Sequence, residues 1–126
     1  MIAVVIHESS ENYLEAMLML QEEKGFIRSV DVAEKLGVKK PSVSYATKRL
    51  RESGYITMDE SGHISLTEMG LEVAERMYTR HKLLSEFLVR LGVDEVTARE
   101  DACRLEHDLS EASFEAIRRF ALGRES

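Results

Sequence analysis

Cys103, Glu106 and His107 are the side chains of this 126-residue sequence best suited to hold a metal ion. On a helix, which the surrounding Asp101, Ala102 and Leu109 favour, they fall at i, i+3 and i+4 and leave one face together. A thiolate, a carboxylate and an imidazole then converge on one point. Sulfur and nitrogen donors favour iron, cobalt, nickel or zinc over magnesium or calcium. Three such residues also arise by chance at helical spacing, with the cysteine a small core residue and the other two solvated. The elements that would have to position them decide between the two.

The composition bounds those elements. With 44% hydrophobic and 32% charged residues the chain can bury a core, as one ordinary domain or as two small helical units. One proline and seven glycines permit long helices and argue against a β-sandwich, so the expected class is mainly α. A single cysteine forms no internal disulfide, and no apolar run approaches the ~20 residues of a membrane helix. Met1–Ile6 is apolar but short and lacks the basic flank of a signal peptide, so the expected location is a reducing cytoplasm, with no membrane partner. The net charge of −6 argues against a general nucleic-acid coat while leaving room for a local basic patch.

Taken in order, Ser9 or Ser10 can cap a helix running to about Lys24, with Leu14, Met17 and Leu18 as its stripe and Asn12 and Glu15 at the stripe's edge. Ser29–Leu36 forms a second helix, ended by Gly37. Lys39 and Lys40 then lead into Pro41, which suits a first helical turn because its missing amide is unpaired there anyway. That third helix runs to about Ser53 with Val43, Ala46 and Leu50 inward. Ser42, Ser44, Tyr45, Thr47, Lys48 and Arg51 point elsewhere. Two short helices around a glycine-containing turn make a helix-turn-helix pattern. Between Phe26 and Gly54 seven Lys or Arg face three Asp or Glu, a net of +4 inside an acidic chain, which implies phosphate contact.

Tyr55–Met58 and His63–Leu66 read as a hairpin, hence a wing, whose acidic tip at Asp59 and Glu60 is poorly suited to phosphate. Thr67 can cap the longest helix, to about Leu91, with Val73, Met77, Leu84, Phe87, Leu88 and Leu91 buried and His81 interrupting the stripe. Its 25 or so positions span about 40 Å, enough to join a DNA-binding head to a second unit. A helix from near Asp94 carries Cys103, Glu106 and His107. Ser110 caps a last one with Phe114, Ile117 and Phe120. These apolar residues, with Leu109, have little chain left to cover them and suggest a second copy as partner. His7 and His63 read as surface histidines.

A winged helix-turn-helix, the Arg80-His81 pair on the long helix and the run Glu100-Asp101-Ala102-Cys103-Arg104-Leu105-Glu106-His107 together resemble the diphtheria-toxin-repressor family of metal-dependent transcriptional repressors. The likeness runs from about Ser10 to Phe120, with the length of the two-domain manganese-regulator branch. It implies a winged DNA-binding domain over 1–70 and a helical metal-binding and dimerisation domain over 71–126. Cys103, Glu106 and His107 stand where the iron-type repressors hold Cys, Glu and His, whereas the manganese type has Glu in place of this Cys. Glu15 and His81 stand at the manganese type's Glu and His ligands, and Asn12 where the family holds Asp or Met. Ser85 and Arg99 replace ligands of the iron type's ancillary site, so the resemblance does not extend to that site. The implied cofactor is Fe(II), then Mn(II), with Zn(II), Co(II) or Ni(II) able to bind in vitro.

The expected function is therefore repression of metal-homeostasis genes by a metal-loaded homodimer on double-stranded operator DNA. A metal tying the first helix, through Asn12 or Glu15, to His81, Cys103, Glu106 and His107 would set two recognition helices to successive major grooves about 34–36 Å apart. Pro41, Ser42 and Tyr45 would meet base edges, beside Ser44 and Thr47, while Lys39, Lys40, Lys48 and Arg51 hold phosphates. Competing readings are a winged-helix regulator responding to a small molecule or to oxidation of Cys103, a small metalloenzyme, and a dimerising adaptor. No general base, nucleophile or phosphate-binding glycine loop accompanies the cluster, so neither enzymatic activity nor an organic substrate is expected.

Overall fold

The computed structural model describes residues 8–123. It runs α1 (Glu8–Lys24), β1 (Ile27–Arg28), α2 (Ser29–Leu36), α3 (Lys40–Glu52), β2 (Ile56–Met58), β3 (His63–Leu66), α4 (Glu68–Arg90), α5 (Glu95–Asp108) and α6 (Glu111–Gly123). The chain divides inside α4, between Arg76 and Met77, into two compact units. Among the described residues no helix is long and apolar enough to cross a membrane. His7 lies outside them.

In the first unit α1 packs on α2, α3, β1 and β3, and its buried stripe includes Leu14, Met17 and Leu18. α1 is already helical at Glu8, so Ser9 and Ser10 sit within the helix rather than at its cap. The helix-turn-helix corner rests on Gly37, whose φ of 69° is left-handed and whose amide donates to Ala33 O. A side chain there would be strained, which is why glycine ends α2. Lys39 follows in extended conformation, and Pro41 lies in the first turn of α3.

α3 corrects one expectation. Its buried residues are Val43, Thr47 and Leu50, so Thr47 faces the core instead of DNA. Standing four residues after Val43 and three before Leu50, it shares their face. Its hydroxyl donates to Ser44 O at 3.1 Å, which satisfies the polar atom locally and makes burial tolerable.

The wing is an antiparallel β2–β3 pair with Ile56 opposite Leu66 and Met58 opposite Ile64, extended by β1 through Ile27 opposite Ile64. Ile27, Ile56 and Ile64 are all buried. β1 is two residues long and has no alternation to read; it exists because the free edge of β3 offers partners for its amides and carbonyls. At the wing turn Asp59 accepts from the amides of Ser61 and His63, both at 2.9 Å. Those bonds, His63 foremost, hold its carboxyl below the usual carboxylate range. Asp59 builds the turn.

Thr67 Oγ1 accepts from Gly70 N at 3.1 Å, capping α4, and lies 2.7 Å from Gly54 O. Gly70 lies against the Tyr55 backbone so closely that a methyl built on it would land on the Tyr55 carbonyl oxygen. Alanine at a helical glycine normally gains up to about 1 kcal/mol. Here the obstacle is backbone rather than a flexible side chain, so the clash prevails. Gly70→Ala should therefore lower stability by about 1–3 kcal/mol, measured by urea unfolding; a variant as stable as the parent would contradict this close approach.

The second unit is the rest of α4 with α5 and α6. Leu84, Ala102 and Phe114 form its core, with Leu83, Leu109 and Ile117 packed around it. Phe114 is only 6% exposed, so it belongs to the unit's own core rather than to a surface awaiting a partner. Leu109 and Ile117 are likewise half-covered within the unit. Leu91, expected inside, is 65% exposed because α4 ends at Arg90 and this residue turns off the end of the helix. Ser110 caps α6 as expected, its Oγ accepting from Ser113 N, and Asp94 caps α5 by accepting from Thr97 N, both at 3.0 Å.

Candidate metal centre and nucleic-acid interface

The buried residues of α5 are Ala98, Ala102 and Glu106, four apart each time. Two alanines let the helix lie close to its neighbours, and the same stripe then delivers a carboxylate into the interior. Glu106 is 0% exposed. An ionised carboxylate so placed costs several kcal/mol unless charge or hydrogen bonding compensates it. Two imidazoles stand there. His81 Nδ1 from α4 lies 3.0 Å from Glu106 Oε1, and His107 Nε2 lies 3.4 Å from Glu106 Oε2. The His107 side chain is 1% exposed and that of His81 16%.

Cys103 completes the arrangement one turn earlier. Its sulfur, a Glu106 oxygen and a His107 ring nitrogen all lie within 4.8 Å of one another. Donors bound to one tetrahedral ion at about 2.0–2.3 Å stand about 3–4 Å apart, so small side-chain rotations would close this set around a cation. The donor chemistry and the convergence both fit a divalent transition metal. Cys103 is exposed, which gives the cluster an open side.

The remaining expected ligands, Asn12 and Glu15, stand on α1 of the first unit, the former half-buried and the latter buried. Asn12 lines a hollow with Tyr13, Val38, Ser42 and Tyr45. Ser85 and Arg99, with His81 and Glu95, line a separate hollow of about 390 Å³ in the second unit. Among the described residues it assembles no donor triad of its own.

On α3, Pro41, Ser42, Ser44, Tyr45, Lys48 and Arg51 are exposed, as are Lys39 and Lys40 before them. Arg49 joins them and was missing from the expected set. Its guanidinium stacks 5.6 Å from the Tyr45 ring centroid and donates to the Tyr45 hydroxyl at 3.3 Å. The signal was available: Tyr45 and Arg49 are four apart on the face opposite Val43, Thr47 and Leu50. Arg28, by contrast, is engaged by Asp31, which also pairs with Lys24. The Lys24 hydrogen bond is the main reason the Asp31 carboxyl lies below its usual range.

Two family models match this chain: residues 6–64 match the iron dependent repressor N-terminal DNA binding domain, and residues 67–123 the iron dependent repressor metal binding and dimerisation domain. An HTH-type transcriptional regulator of Methanocaldococcus jannaschii is 38% identical over 115 residues, covering 90% of this chain and 92% of its own. The HTH-type transcriptional regulator MntR of Bacillus subtilis is 38% identical over 109 residues, 86% of this chain and 77% of that one. Among solved structures the manganese regulator SloR superposes with a TM-score of 0.79 at 30% identity, covering 89% of this chain. This chain spans about half of that solved protein, 53% of its length.

Proposed function

Because this chain belongs to the diphtheria-toxin-repressor family of iron-dependent and manganese-dependent regulators, we propose that it is a metal-activated repressor of metal-ion homeostasis, working as a homodimer on operator DNA in the cytoplasm. The observation that carries this reading is the wholly buried Glu106 carboxylate, with one oxygen facing His81 and the other His107. A buried carboxylate met by two imidazoles, with a thiol one turn away, is costly to keep for stability alone and well suited to a cation.

Cys103, Glu106, His107 and His81 would hold the metal in the second unit, and the family likeness adds Asn12 and Glu15 of α1 as further donors. A bound divalent ion would supply positive charge to Glu106 and fix the ligand side chains. The family likeness makes Fe(II) the first reading, although the thiolate and imidazoles would bind Zn(II) more tightly in vitro, and Mn(II) is the second reading, supported by the manganese regulators among the similar structures. On DNA, Pro41, Ser42, Tyr45 and Arg49 would meet base edges, with Ser44 beside them, while Lys39, Lys40, Lys48 and Arg51 neutralise phosphates. A second copy would cover Phe120 and Leu91, which are 59% and 65% exposed.

The test is a titration of labelled operator-like DNA with Fe(II), Mn(II) and Zn(II) in turn, against a chelator control. Saturable, chelator-reversible binding is expected, lost in His107→Ala. Binding indifferent to chelator would instead favour a regulator that senses a small molecule or the oxidation of Cys103.

A further inference from the structure

Arg80 precedes His81 on α4, and its guanidinium is occupied in a way the DNA-binding and ligand roles do not use. The residue is 5% exposed. Its Nη1 donates to two backbone carbonyls, Glu106 O and Leu109 O, each at 2.9 Å. Nη2 pairs with Glu111 Oε1 at 3.2 Å, and the group sits 4.9 Å from the Phe114 ring centroid.

The two carbonyls are not arbitrary. α5 ends at Asp108, so Glu106 and His107 lie in its last turn, where carbonyls have no intrahelical partner and helices fray. A cation is favourable at that end of the helix dipole. Arg80 supplies both the partner and the charge, and the planar fork lets it serve two carbonyls and a carboxylate at once. Its hydrogen bonds go to the Glu106 backbone, while the carboxylate faces His81 and His107.

We propose that Arg80 is a positioning residue of the metal centre: it clamps the last turn of α5 so that Glu106 and His107 are held toward His81 before any ion binds. This rests on the metal centre proposed above. Without the clamp, part of the binding free energy would go into ordering that turn, so affinity would fall although every ligand remains.

Arg80→Lys tests it, since lysine keeps the charge and most of the stem but loses the fork. Metal affinity is read by Co(II) absorbance in competition with a chromophoric chelator, and operator binding by anisotropy across the same metal range. The expected result is affinity lower by about tenfold or more, with operator binding moved to higher metal but reaching the parent's plateau, and a metal-free thermal midpoint lower by about 2–8 °C because lysine cannot serve both carbonyls and the carboxylate. Affinity within twofold of the parent would overturn the proposal. So would a lowered plateau and midpoint with no shift along the metal axis, since that marks a merely structural role. If Arg80→Lys does not fold, amide hydrogen exchange of the parent decides: last-turn amides of α5 already protected in the metal-free protein support the clamp, and amides protected only once Co(II) is added refute it. Failure of the parent itself to bind metal would remove the centre rather than Arg80's part in it.

Discussion

Glu106→Gln should lower metal affinity by at least about 100-fold and abolish the metal response of DNA binding, while leaving the metal-free protein folded. The size follows from what the change removes. Second-sphere changes at metal sites already cost 10–100-fold, and here the lost group is the charge at the centre of the donor set. The glutamine amide keeps the shape but presents an NH2 to one imidazole and no negative charge to a cation. Stability should move the other way or not at all, because an uncharged amide is cheaper to bury than a carboxylate. Calorimetric metal titration with circular dichroism of the metal-free variant checks both parts; undiminished affinity would mean that Glu106 is a structural carboxylate only.

The second large effect concerns which metal is chosen. Cys103→Glu exchanges the only sulfur donor for oxygen, so affinity for Co(II) and Zn(II) should fall by about tenfold or more relative to Mn(II). The sulfur-to-cobalt charge-transfer absorption of the Co(II) form should disappear with it. Cys103 is exposed, so the exchange should change unfolding free energy by no more than about 0.5 kcal/mol. An unaltered order of metal affinities would show that the thiol lies outside the coordination sphere.

Much of this architecture was legible because its signals are local. Ser110 announces a cap, Gly37 announces the helix-turn-helix corner, and the spacing of Cys103, Glu106 and His107 announces a shared face. The errors fall where a partner element decides. Thr47 looked outward because threonine is polar, yet its register with Val43 and Leu50 buries it. Phe114 looked like an uncovered surface, and the unit closes over it with Leu84, Ala102 and the Arg80 guanidinium. β1 has only two residues and no pattern of its own; β3 makes it a strand.

Periodicity, capping residues and donor types are properties of neighbours along the chain, and they suffice for the helices, the winged order, the basic segment and the candidate ligands of α5. Burial and convergence depend on residues far apart in number. It takes the folded chain to enclose Glu106 wholly, to bring His81 to it from another helix 25 positions away, and to let Arg80 span 26 and 29 positions to hold the end of α5. Packing brings these groups together because burying Ala98, Ala102, Leu84 and Phe114 fixes how the helices of the second unit lie against one another, and the polar atoms follow.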